Sequence, residues 1–187
     1  VISVEWLLLQ NPREPFSETR RALPGQQHPG LGMLREAFGW LVVIAETLEL
    51  DGLFFYPSQY HLAAVSRRFA RFLHPEHEAS YRALESALAG VPLADASEAL
   101  GGGRVVNARD GAAVSWEPYP LVVPVSDRLR RHVSDDEYER HVGEARAGIQ
   151  AKLMTYSPFT PVMLSRLATT DPTGMAVRIR IGMCRAS

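Results

Sequence analysis

The chain has 187 residues, 22% of them charged and 46% in the hydrophobic set, which excludes wholesale disorder and leaves room for one packed domain. A formal net charge of −1 removes the global basic field of a nucleic-acid binder, so no nucleic-acid partner is expected. The single cysteine, Cys184, cannot close an internal disulfide, and the apolar run from Trp6 to Leu9 is too short to span a bilayer or form a signal core, so a cytoplasmic location without membrane association is expected.

Val1 to Gln10 opens with alternation and becomes continuously apolar, which predicts a buried strand ended by Asn11-Pro12. The chain begins at Val1 rather than Met, so either residues upstream are missing or the N-terminus was processed, and this strand reads as one entered in mid-fold. Residues 12–29 carry Pro12, Pro15, Pro24, Gly25 and Pro29 and form a loop of the length that often carries function. From Leu31 to Leu50, residues Leu31, Leu34, Phe38, Leu41, Ala45 and Leu48 step by three and four, the stripe of an amphipathic helix. Trp40, Val43 and Ile44 widen it, so burial on more than one side is expected, with Gly52 in the stop signal.

Leu53 to Pro57 reads as a short buried strand, and strand, helix and strand at this spacing predict parallel pairing with a right-handed crossover. Leu62, Val65, Phe69, Phe72 and Leu73 predict a second helix, with Arg67, Arg68 and Arg71 on its other side, where they could face solvent or an anion. Pro75 to Ala89 is a third helix and Pro92 to Leu100 a fourth. Asp110-Gly111 between residues 104–108 and 112–116 is a hairpin signal, and Leu121 to Val125, bounded by prolines, reads as an edge strand. Ser134 to Glu137 looks like a capping box opening a helix to about Leu153. After Met154 only Ala176 to Ile181 has strand character, so residues 1–153 are taken as one domain and 154–187 as a C-terminal extension or edge strand.

The glycine loop Gln27-His28-Pro29-Gly30-Leu31-Gly32 precedes the long helix, and the N–H groups of Gly30 to Met33 could converge on phosphate oxygens. It lacks the Lys-Ser/Thr of a Walker loop, and Arg35 takes the third glycine's place in a dinucleotide fingerprint. A plain turn into a helix is the competing reading. His74, His77 and neighbouring carboxylates invite a metal, but Pro75 and the acidic residues fit an ordinary helix start, so no metal is expected.

In order, the strand, the Gln-x-x-Gly-x-Gly of Gln27, Gly30 and Gly32, the long helix, the short strand and the helix Ala64 to Leu73 resemble the central part of the GNAT acyltransferase superfamily, over about residues 1–73. The resemblance implies an α/β (α+β) fold, a mixed sheet with flanking helices. It also implies acyl-CoA, acetyl-CoA included, as donor substrate, with Gln27, His28, Gly30, Leu31, Gly32 and Met33 at its pyrophosphate, and a small-molecule or peptide amine as acceptor. Such a cleft requires the Val4 and Leu53 strands to part beside Gly30. Amine acylation needs a base for the ammonium proton and an acid for the thiolate; Glu5 is the candidate base, and Tyr60 and His61, at the strand's carboxyl end, are the candidate acids. The family's usual acid tyrosine aligns with Ala70, which cannot donate a proton, and residues 11–26 lengthen a loop that the family keeps short. Two other readings stay open: a non-catalytic binding module of the same fold, acting through the broad helix 31–50 or the hairpin at 104–116 and compatible with a homo-oligomer, and an α/β enzyme that binds a different phosphate ligand.

Overall fold

The computed structural model describes residues 1–149, 151–153 and 179–183. Its strands are β1 (Ile2–Leu7), β2 (Gly52–Phe55), β3 (Arg71–Phe72), β4 (Val105–Asn107), β5 (Leu121–Pro124), β6 (Ala151–Leu153) and β7 (Ile179–Met183). Its helices are α1 (Leu34–Thr47), α2 (Tyr60–Ser66), α3 (Pro75–Ala87), α4 (Leu93–Gly101), α5 (Asp127–His132) and α6 (Asp136–Ala147). The main sheet has five strands in the order β3-β5-β2-β1-β7, and β4 pairs with β6 apart from it. β1 and β2 are parallel and every other pair in the main sheet is antiparallel, so the fold is the mixed α/β arrangement expected.

Alternation along β2 and β5 divides the core. Leu53, Phe55, Leu121 and Val123 pack with Phe38, Leu41 and Ala45 of α1, Ala63 of α2 and Ala96, Ala99 and Leu100 of α4. Phe54 and Val122 turn the other way, onto Val133 and onto Tyr138 and Val142 of α6. Leu34, Phe38, Leu41 and Ala45 of the apolar stripe form the face that α1 lays on the sheet, and Phe38 packs its ring 5.1 Å from Phe55 and 5.0 Å from Phe69. Its wider apolar surface is not buried: Trp40 is 73% exposed, and Val43, Ile44 and Leu48 are exposed with it. One sheet face can cover only one side of a helix, and no described element covers the other.

Several other expectations are corrected. β5 lies inside the sheet between β3 and β2, because neither Pro120 nor Pro124 interrupts the Leu121–Val123 ladder. The second helix ends at Ser66, and Arg71 and Phe72 form a short strand on β5. The turn at Asp110-Gly111 forms, with Gly111 at φ 72° and its N–H 2.9 Å from the Asn107 carbonyl oxygen. The returning arm makes only a bridge at Ala113, since β4 takes its ladder from β6. The cap of α6 is Asp135, whose side chain accepts from the Tyr138 N–H at 2.7 Å, and the helix stops at Ala147. Gly52 belongs to β2 rather than to a helix stop: a Cβ there would lie 2.3 Å from the Val123 carbonyl oxygen. The left-handed residue after α1 is Glu49, at φ 53°.

Candidate functional site

The parallel ladder between β1 and β2 is short. Ile2 pairs with Leu53, Ser3 with Phe54 and Val4 with Phe55, and there it ends. Beyond Val4, β1 follows only β7, and its register shifts: Val4 faces Ile181 and Trp6 faces Arg180, so Glu5 is the extra residue of a bulge. The strands separate at their carboxyl ends, and a cavity of about 540 Å³ opens between Val4–Gln10 on one side and Phe55–Gln59 on the other. Phe38 and Leu34 of α1 floor it, and His61, Leu62, Val65 and Ser66 of α2 form a wall. This is where ligands of open α/β sheets bind, and its size is ordinary for a small-molecule site.

The long loop before α1 does not distance the glycines from β1. It leaves and returns at one place, where the Asn11 N–H donates to the Pro29 carbonyl oxygen at 2.7 Å and the Leu31 N–H to the Leu9 carbonyl oxygen at 2.9 Å. The Gln10 side-chain oxygen accepts from the His28 N–H at 3.2 Å. Arg20 donates to the Gly30 carbonyl oxygen and pairs with Glu14 at 3.0 Å, and Arg21 ties the loop to Asp95 of α4 at 2.7 Å. Residues 11–29 are therefore an excursion pinched at its neck, and Gly30 and Gly32 line the cavity beside Leu9 and Gln10.

The six loop residues sort into distinct parts. Gly32 stands at φ 74°, a conformation that side chains with a Cβ resist. Gly30 has room: a Cβ there would meet only the Leu9 carbonyl oxygen at 3.6 Å. The Leu31 N–H is committed to Leu9, so it is not free to hold an anion. Helix α1 begins at Leu34, three residues later than expected, with Met33 as its N-cap and no side-chain cap. The amides open to an anion are thus displaced toward Met33–Glu36. Gln27 is exposed and lies outside the cavity lining, as does the half-buried His28.

Among the candidate acids, His61 and Tyr60 point to different places. Tyr60 is buried in the core, stacked 5.9 Å from Tyr81 and edge-on to Trp116 at 5.7 Å, and burial pushes its hydroxyl pKa up. Tyr60 therefore packs in the core and lies outside the lining of this cavity. His61, one residue on, is 3% exposed and lines the cavity. Ser97 of α4 holds it: the Ser97 hydroxyl oxygen lies 3.1 Å from the His61 main-chain nitrogen and 3.1 Å from Nδ1. Burial lowers the His61 pKa, so the ring is neutral at neutral pH. Glu5 is exposed on the bulge at the cavity's edge. Ala70, where the resemblance would put a tyrosine, is fully buried.

The arginines of the 67–71 stretch are not a ligand cluster. Arg67 reaches Glu78 at 2.5 Å, Arg71 donates to the carbonyl oxygens of Arg67 and Ala70, and Arg68 is exposed. His77 stacks on Tyr119 with ring centroids 3.9 Å apart, and Glu78 is fully buried between Arg67 and Arg82. Among the described residues no three His, Cys, Asp or Glu side chains form a group that could hold a metal. Among the described residues, the cavity lining contains neither lysine nor arginine.

Sequence reasoning missed Ser97, because a serine inside a helix carries no pattern that names a distant histidine. It also missed the apolar rim. Trp6, Met33, Tyr56 and Leu62 are large, exposed, and all line this cavity.

Burial of His61 makes stability depend on pH. The folded pKa lies below the unfolded value of about 6.5, so the contribution of the neutral ring is fully present above that pH and is lost as pH falls toward the folded pKa. Unfolding midpoints measured in urea from pH 7.5 downward are expected to decline more steeply in the wild type than in His61→Gln. Equal slopes would show that the ring is solvated.

No protein-family model, curated protein or solved structure matches this chain.

Proposed function

We propose that the protein binds an acyl-CoA in the cavity at the carboxyl ends of β1 and β2 and transfers its acyl group to an amine. The observation that carries this reading is the parting of the two parallel strands after Val4 and Phe55, beside Gly30 and Gly32, where such a cleft was expected. The pinched loop supports it by bringing the glycines against the end of β1 despite the intervening residues. In the proposed reaction the amine nitrogen attacks the thioester carbonyl carbon, the C–N bond forms and the C–S bond breaks. The ammonium proton passes to Glu5 or through it to water, and CoA leaves as thiolate. His61, buried in the wall of the cavity, is the proposed donor to the developing negative charge. The pyrophosphate would rest on the amides at the start of α1, with the exposed Arg35 in that first turn as the nearest cation in sequence.

The test is turnover of acetyl-CoA and longer acyl-CoAs over a panel of primary amines. Glu5→Gln is expected to lower kcat by about a hundredfold or more with little change in acyl-CoA affinity. A second reading, a binding module that kept the cavity, is favoured by the buried Ala70 and by the exposed Trp40, Val43 and Ile44 of α1. It predicts acyl-CoA binding without turnover of any amine.

A further inference from the structure

The candidate that geometry carries furthest is the contact between His61 and Ser97, and it rests on the acyl-transfer reading only for its catalytic consequence. Ser97 is 3% exposed and comes from a different helix. Its single hydroxyl oxygen sits at 3.1 Å from two His61 nitrogens. The main-chain nitrogen can only donate, so it takes one of the oxygen's lone pairs. The hydroxyl proton is then free to point at Nδ1.

We infer that Ser97 is a positioning residue that fixes the His61 tautomer: its hydroxyl accepts from the His61 main-chain N–H and donates to Nδ1, leaving the ring proton on Nε2 for the cavity. A neutral imidazole in this state is a hydrogen-bond donor and not a base. It polarises the thioester carbonyl or stabilises the departing thiolate, while the ammonium proton goes elsewhere. The arrangement divides the labour between the two cavity groups: Glu5 takes the proton, His61 holds the charge.

Among the described residues, the titratable groups that line the cavity with His61 are Glu5 on β1 and Tyr56 just past β2. On α4, Asp95 is paired with Arg21 at 2.7 Å, and Glu98 lies 4.0 Å from Arg104. On α2 itself the neighbour is Tyr60, whose ring is turned into the core. Desolvation lowers the ring's pKa, which favours the neutral form.

The test is nitrogen NMR of the full chain labelled in its histidine rings, with the His61 signals assigned by their loss in His61→Gln. The expected wild-type ring is neutral at pH 7 and protonated on Nε2. Ser97→Ala should give mixed tautomers and shift the ring's titration, and Ser97→Thr, which keeps the hydroxyl, should restore both. A wild-type ring protonated on Nδ1, or a tautomer unchanged in Ser97→Ala, would overturn the inference. In turnover, Ser97→Ala should lose roughly tenfold to a hundredfold in kcat with KM for acyl-CoA unchanged and an altered pH profile. A protein that shows the Nε2 tautomer but turns over no acyl-CoA would strike the acyl-transfer reading and leave this assignment standing.

Discussion

Glu78→Ala is expected to destabilise the chain by about 3 kcal/mol. The carboxylate is fully buried on α3, and its Oε1 accepts from Arg67 at 2.5 Å and from Arg82 at 2.7 Å. Arg82 has a second anchor, since its two terminal nitrogens reach the Glu139 carboxylate at 2.8 Å each. Among the described residues Arg67 has no second carboxylate; it donates to the Ala70 carbonyl oxygen at 3.2 Å, its guanidinium lies over the rings of Tyr81 at 5.3 Å and Phe72 at 5.9 Å, and it is 17% exposed. Truncating Glu78 strands that cation in the core. Solvent access to both arginines keeps the loss at the low end of the range for broken buried pairs. For a chain of this length the melting temperature should fall by roughly 6–12 °C. Glu78→Gln, which keeps an acceptor for Arg67, should lose less. A loss below about 1 kcal/mol for the alanine variant in urea unfolding would show that the pair behaves as a surface ion pair. The site depends on this pair indirectly, because Arg67 is the C-cap of α2, the helix that carries His61.

Gly32→Val should abolish acyl-CoA binding while costing about 1–2 kcal/mol of stability. Gly32 holds φ 74°, where a β-branched residue is most strained. The chain would relieve the strain by rotating the backbone just ahead of α1, and the amides that would receive the pyrophosphate would turn with it. Gly30→Ala is the matched control. Its Cβ would meet only the Leu9 carbonyl oxygen at 3.6 Å, so stability should change by less than about 0.5 kcal/mol. Reduced affinity in Gly30→Ala at unchanged stability would place the ligand against that glycine. Unimpaired binding in Gly32→Val would remove the loop from the site.

Much of this architecture is legible in the residues. The step of three and four from Leu34 to Ala45 gives α1 and its buried face, and the continuous apolar run at Leu53 gives β2. What pattern could not supply is pairing. The prolines beside Leu121 suggested an edge, yet β5 is interior because its Leu121–Val123 core contains no proline. The hairpin arm at Ala113 lost its ladder to β6, a partner far along the chain. Periodicity likewise could not separate Tyr60 from His61, adjacent residues on a helix's first turn, one of which enters the core and the other the cavity. Nor could it show that the loop 11–29 closes on itself, since that rests on main-chain bonds that any sequence can make. At the site, the glycines and Glu5 were readable from their place beside strand ends, whereas Ser97 and the bulge that presents Glu5 needed coordinates.

Thermal unfolding of the full chain with millimolar acetyl-CoA addresses the acyl-CoA site directly. A ligand at a hundred times its Kd adds about 2.7 kcal/mol to the native state, which for a chain of this length raises the melting temperature by roughly 5–10 °C. The expected result is a rise of that order in the wild type, retained in Glu5→Gln and His61→Gln and absent in Gly32→Val. No rise in the wild type with acetyl-CoA or a longer acyl-CoA would contradict an acyl-CoA site between β1 and β2.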